Sequence, residues 1–244
     1  MKYFCLSDIG LKREINQDSY CAIKNENGDL LALVCDGIGG GKAGDVASGE
    51  AVKYFINDFP KSNEFKTIDD VKNYINESLI KCNNDIYQLS TKYKEYLGMG
   101  TTLTGILITN IGVISMNIGD SRVYGFKNGN EYRLTNDHTL VNEMLQKGEV
   151  TPEEALNHPK RHYLTRALGV WDKVNPDIND IENMDYYLIC SDGLYNCIND
   201  NEINDIMTTN TLNPEEKANK LLEKSLLNGG YDNITIIVVD CINE

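Results

Sequence analysis

Residues 102–134 read TLTGILITNIGVISMNIGDSRVYGFKNGNEYRL. Three β-branched runs, 102–109, 112–118 and 121–127, are separated by Asn-Ile-Gly and Gly-Asp. Short runs punctuated this way predict a β-meander. Asn128-Gly129 is a strong hairpin signal and leads into a fourth run at 131–134. Strands that cluster as hairpins, without regular βαβ alternation, favour an α+β fold over a doubly wound α/β sheet.

The flanking sequence supplies further strands and amphipathic helices. Short strands are predicted at 3–7 and 20–24. LLALVC at 30–35 is a continuous apolar run, which suits a strand buried on both faces. A helix over 45–59 places Ala47, Ala51, Phe55 and Phe59 on one face, and Pro60 ends it. Thr67-x-x-Asp70 resembles a capping box opening a second long helix, with Val71, Ile75, Leu79, Cys82, Ile86 and Leu89 on its apolar face. Residues 136–183 are polar and mixed. Thr151-Pro152-Glu153-Glu154 marks a short helix there. Apolar strands at 185–190 and 234–240 enclose helices at 201–207 and 214–227. No repeat or linker interrupts the chain, so 1–244 reads as a single domain.

The 244 residues hold 23 Lys and Arg against 37 Asp and Glu, a net charge of −14. Such acidity repels phosphate backbones and anionic lipid, which argues against nucleic-acid and membrane partners. The charge is uneven: residues 1–135 carry 15 basic and 17 acidic side chains, and 136–244 carry 8 and 20. Seven cysteines, odd in number and with no C-x-x-C, read as buried reduced thiols. Scattered cysteines with only His138, His158 and His162 to assist make a zinc site a poor reading. No apolar run has the length of a signal-peptide core or a membrane span. The expectation is a soluble cytoplasmic protein.

Gly39-x-Gly41-x-x-Gly44 matches the dinucleotide fingerprint and lies between a strand and a helix. A second strand should follow that helix, and here another helix does. Gly37, Gly39, Gly40 and Gly41 instead read as positions of close backbone approach. Five acids recur where apolar strands meet turns: Asp18, Asp36, Asp120, Asp192 and Asp232. One such Asp is an ordinary turn residue. Five around one core would repel one another unless a cation relieved the cost. Oxygen-only ligands select Mg²⁺, Mn²⁺ or Ca²⁺, and the loop after Asp36 lacks the EF-hand pattern.

The motif series resembles that of the PPM-type, or type 2C, metal-dependent protein serine/threonine phosphatases. The matching pieces are REINQD (13–18), VCDGIGG (34–40), MGTT (99–102), NIGDSR (117–122), TNDH (135–138), LTRALG (164–169), CSDGL (190–194) and DNIT (232–235). They occur in the family's order across nearly the whole chain. The compact length and HPKRHYLTRALG at 158–169 resemble the bacterial branch. The resemblance implies a four-layer αββα fold: a central antiparallel β-sandwich of two sheets, flanked by helices on both sides. It also implies hydrolysis of phosphoserine and phosphothreonine in proteins by a hydroxide bridging two Mn²⁺ or Mg²⁺ ions, in opposition to a bacterial Hanks-type serine/threonine kinase. By the same resemblance, Asp36 bridges the ions and the Gly37 carbonyl completes one site. Asp192 and Asp232 hold the other ion, and Asp18 acts through bound water. Asp120 joins Asp192 in a weaker third site. Arg13 grips the substrate phosphate in the bidentate manner suited to guanidinium.

Two positions depart from the family pattern. Ile38 stands where animal members have a proposed general acid, and Gln17 replaces a Glu. Lys160, Arg161, His162 and Arg166 form the only basic cluster in the acidic half. They lie in a segment, around 140–168, that matches the family's flap, and they are candidates for steering phosphorylated substrates. A solvated charge run is the competing reading. The expected state is a monomer. The alternative function is a catalytically inactive scaffold of the same fold that binds partners.

Overall fold

Backbone hydrogen bonding resolves the strands into two antiparallel sheets in the computed structural model, which describes residues 1–38 and 43–242. Gly39, Gly40 and Gly41 of the glycine-rich loop lie outside the described residues. In chain order the strands are β1 (Lys2–Asp8), β2 (Asp18–Lys24), β3 (Leu30–Ile38), β4 (Gly100–Thr101), β5 (Leu103–Ile108), β6 (Val113–Ile118), β7 (Arg122–Lys127), β8 (Asn130–Arg133), β9 (Asp177–Ile181), β10 (Tyr186–Cys190) and β11 (Ile234–Asp240). The helices are α1 (Gly44–Asp58), α2 (Ile68–Lys92), α3 (Leu140–Gln146), α4 (Pro152–Leu156), α5 (Asp192–Tyr195), α6 (Asp200–Met207) and α7 (Pro214–Leu227). One sheet runs β1-β11-β10-β7-β8. The other runs β2-β3-β5-β6-β9, with β4 added to the end of β3.

The alternation of side chains along the central strands builds four layers. On β3, Leu31, Leu33 and Cys35 face a core shared with Ala47, Ala51 and Phe55 of α1 and Ile75, Leu79 and Cys82 of α2. Leu30, Ala32 and Val34 face the opposite way. They pack between the sheets with Val123, Tyr187, Ile189, Ile237 and Val239. The outer face of the first sheet presents Leu188, Ile236 and Val238 to Ile203 and Met207 of α6 and Ala218 and Leu221 of α7. The fold is therefore an α+β sandwich, helices–sheet–sheet–helices.

The central stretch departs from the meander reading. β5 and β6 pair as a hairpin, and β7 and β8 pair as another, but β6 and β7 belong to different sheets. The chain crosses at Gly119-Asp120-Ser121. Gly119 has φ +108°, and a Cβ there would lie 2.5 Å from the Thr102 methyl, so only glycine makes this corner. The Asn128-Gly129 turn has positive φ at both residues, 53° and 79°, as a type I′ hairpin demands. β3 also runs past Asp36 to Ile38, because β4 pairs with Gly37 and Ile38. The capping boxes at Thr67 and Thr151 form as expected. β9 is an edge strand of mixed polarity, DINDI, and carries no alternation from which to predict it. Among the described residues no helix is long and apolar enough to cross a membrane. None of the seven cysteines forms a disulfide.

Candidate active site

The ends of strands from both sheets meet at one side of the sandwich. A cavity of about 800 Å³ opens there, lined by Arg13, Gln17, Asp36, Gly37, Ile38, Asp120, Arg161, His162, Asp192 and Asp232, among others. Each acid arrives by a different route. Asp36 lies on β3, directly opposite Asp18 on β2. Asp120 occupies the corner between the sheets. Asp192 opens the one-turn helix α5 after β10, and Asp232 precedes β11.

Small polar groups fix these positions. Asp36 N–H donates to the Thr102 hydroxyl at 2.9 Å. Asp18 is buried behind the cavity wall, and its Oδ2 accepts from the hydroxyls of Ser191 and Thr235, both at 2.7 Å. Asn233 ties the loop bearing Arg13 to the β11 end. Its Oδ1 accepts from Gln17 N–H, and its Nδ2 donates to the carbonyls of Ile9 and Ile15. Gly37 meets Gly44 so closely that a Cβ on it would sit 2.1 Å from the Gly44 carbonyl oxygen. Sequence reasoning passed over Ser191, Thr235, Thr102 and Asn233. For Ser191, Asn233 and Thr235 the available signal was a small polar residue beside or near Asp192 or Asp232, whereas Thr102, 66 residues from Asp36, gave none.

The electrostatics are dominated by crowded carboxylates. Burial, then repulsion from Asp18, Asp192, Asp120 and Asp232, raises the Asp36 pKa well above the ordinary range. Asp192 is raised well above it by burial, then by Asp120, Asp232 and Asp18. Burial lifts Asp18 to about 6 despite its two hydroxyl donors, and lifts Asp120 to about 7 with help from Asp137. Arg13 is the counter-charge: its Nη2 donates to Asp232 Oδ2 at 2.7 Å, and its side chain is half exposed. That pair occupies one of the guanidinium's five N–H donors.

The donor set suits a hard divalent cation. All of the candidate ligands are oxygen, and the buried Oδ1 atoms of Asp18 and Asp192 have no hydrogen-bond partner. Buried carboxylate oxygens without donors are costly unless a cation answers them. As they stand, Asp36, Asp120, Asp192 and Asp232 line the cavity wall with Asp18 behind it; no three His, Cys, Asp or Glu among the described residues already form a metal cage.

Not every expected residue reaches the cavity. Arg161 and His162 line it, whereas Lys160 lies over the Tyr163 ring, 5.8 Å from its centroid. Arg166 is turned into a separate network. Its Nη1 donates to Asp177 Oδ1 at 2.7 Å and to the Asn175 carbonyl at 3.1 Å. His138, buried, also meets Asp177, with Nε2 3.1 Å from Oδ2, and its Nδ1 accepts from Gly119 N–H at 3.2 Å. That acceptor role puts the imidazole proton on Nε2.

Comparison with known proteins agrees with this architecture. The family model described as Protein phosphatase 2C matches residues 12–228. The protein phosphatase PhpP of Streptococcus pneumoniae is 38% identical over 247 residues, covering all of this chain and 99% of its own length. The serine/threonine phosphatase stp of Listeria welshimeri is 35% identical over 236 residues, covering 96% of this chain and 93% of its own. Among solved structures, the serine/threonine phosphatase Stp1 of Staphylococcus aureus superposes with a TM-score of 0.92 at 32% identity, covering 98% of this chain and 94% of that one. The Mycobacterium tuberculosis phosphatase PstP/Ppp gives 0.86 at 33% identity, covering 98% and 97%. With the family model spanning most of its length and its fold shared with these phosphatases, the chain belongs to the protein phosphatase 2C family.

Proposed function

We propose that this protein hydrolyses phosphoserine and phosphothreonine esters in proteins, using two core Mn²⁺ or Mg²⁺ ions and a weaker third. The observation that carries the reading is the cavity itself. It gathers four acids from separate segments, together with Arg13 and Arg161, in a chain of the 2C family. Asp36, the Gly37 carbonyl, Asp192 and Asp232 hold the core ions, and Asp120 with Asp192 holds the third. Asp18 acts from behind the wall through solvent. When bound, divalent ions neutralise phosphoryl charge and activate water.

The remaining roles fall to the chain's own groups. Arg13 offers its fork to two phosphoryl oxygens, which orients the ester and offsets charge as the leaving bond lengthens. Ile38 lines the cavity but has no proton to give, so the leaving alkoxide takes its proton from solvent or another group. Arg161 and His162 face the incoming phosphoprotein, while Lys160 and Arg166 stand outside that role.

The protein acts as a monomeric single domain with residues 140–168 as a flap over the site. The short pairing of Thr139 with Leu164, which closes the base of that segment, supports this division. Its counterpart is a serine/threonine kinase, and seven cysteines without a disulfide support a reducing, cytoplasmic setting. The test is phosphate release from phosphoserine, phosphothreonine and phosphotyrosine peptides in the presence of Mn²⁺. Release from the first two, lost in Asp232→Asn, is expected. Inert phosphoserine and phosphothreonine peptides would leave a partner-binding scaffold.

A further inference from the structure

We propose that Tyr195 and Arg122 are positioning residues for Asp120, and through it for the weakest-bound cation. The inference rests on the assignment of Asp120 and Asp192 to a third site, made above. Asp120 is not held by a strand. It sits on the corner where the chain passes from one sheet to the other, after a glycine at φ +108°. A carboxylate on a turn needs an anchor, and here the anchor grips the backbone. The Tyr195 hydroxyl donates to the Asp120 carbonyl oxygen at 2.9 Å.

Tyr195 is itself immobilised. The Arg122 guanidinium carbon lies 3.4 Å from the centroid of the tyrosine ring, a stacked cation–π contact. Arg122 cannot swing away, because its Nε and Nη2 donate to both oxygens of Asp137 at 3.1 and 2.8 Å. Its Nη1 donates to the Tyr124 hydroxyl at 3.0 Å. On the other flank, the His138 imidazole Nδ1 accepts from Gly119 N–H at 3.2 Å, and the His138 main-chain N–H donates to the Gly119 carbonyl at 2.9 Å. The corner is thus clamped on both sides through its main chain. The clamp leaves the carboxylate alone, whereas Asp18 has an oxygen taken by two hydroxyls.

The location of Tyr195 gives the clamp its consequence. Tyr195 closes the four-residue helix α5, and Asp192 opens it. One rigid turn therefore carries one candidate ligand and the anchor of the other, and it sets their separation. Two repelling carboxylates need such a spacer if they are to bind a cation weakly and reversibly without drifting apart. Tyr195→Phe removes a single hydroxyl and no charge.

The experiment is a calorimetric Mn²⁺ titration of the full chain, repeated by Mn²⁺ electron paramagnetic resonance, on wild type, Tyr195→Phe, Arg122→Lys and Asp120→Asn. Wild type is expected to show a tight class and a weaker class of ions. Asp120→Asn should remove the weaker class. Tyr195→Phe should weaken that class about tenfold while retaining the tight one, in the range typical of outer-shell changes. Arg122→Lys, which loses the fork and the stack, should do the same. Wild-type binding of both classes by a folded Tyr195→Phe would overturn the proposal, as would equal loss of both. If Asp120→Asn also binds as wild type, the third-site assignment fails and the positioning role falls with it. If only Asp120→Asn changes, the assignment stands and the clamp alone is refuted.

Discussion

At the level of single residues, Asp36 lines the cavity and is repelled by Asp18, Asp192, Asp120 and Asp232. Replacing it by Asn removes a carboxylate that the metal-free fold holds with difficulty. Asp36→Asn is expected to melt higher than wild type without metal, and to lose at least about 100-fold in kcat with it. A differential scanning run and p-nitrophenyl phosphate turnover check the two halves. Arg13→Ala should act differently. Losing a charged hydrogen-bonding partner of the phosphate, about 1.5–3 kcal/mol, lowers kcat/KM by about 10- to 100-fold. Its half-exposed ion pair contributes little to stability, so the melting temperature should barely move. The acids were legible in the sequence because a charged residue at the end of an apolar strand is conspicuous, whereas Arg13, inside the loop between β1 and β2, was marked only by the family resemblance of its motif. The role of Arg166 was not legible. Its spacing from the other basic residues of the segment says nothing of Asp177, eleven residues on, which claims its guanidinium. Asn233 was equally silent, since its work is three hydrogen bonds to a loop more than 200 residues earlier in sequence.

At the level of elements, most strands and long helices followed from periodicity, and α7 falls on 214–227 as its Pro and apolar spacing predict. What the pattern could not carry was partnership. The runs now seen as β6 and β7 look alike in sequence, yet one pairs in each sheet. Strand composition reports burial on both faces without reporting which neighbour supplies the hydrogen bonds. The deciding residue is Gly119, whose positive φ turns the chain between layers. Gly119→Ala places a methyl against Thr102 at 2.5 Å and forces a left-handed conformation on alanine. A cost of about 1–3 kcal/mol is expected, read as a lower midpoint in urea unfolding. Because the corner bears Asp120, the same variant should also weaken Mn²⁺ binding. A variant with wild-type midpoint would show that the corner is not constrained.

At the level of the molecule, the net charge of −14 is partly a consequence of the site. Acids are concentrated where the folded chain can tolerate them only when protonated or bound to cations. A carboxyl whose folded pKa is raised binds its proton more tightly in the native state. Its contribution to stability is therefore complete below the unfolded value of 3.8 and is lost as pH rises through the folded value. For Asp18 and Asp120 that window closes at about 6 and about 7, and for Asp36 and Asp192 it extends well above the ordinary range. Divalent ions, which bind the deprotonated form, should raise the melting temperature more at pH 7 than at pH 5. A gain independent of pH would mean that these carboxylates are not the ligands. The central claim, that the carboxylate cavity is a metal-dependent phosphatase centre, is tested most directly by phosphate release from a phosphothreonine peptide in Mn²⁺, after excess chelator, and after Mn²⁺ is restored. The account predicts turnover, its loss, and its return. Turnover that survives the chelator, or none at any stage from folded protein, would contradict it.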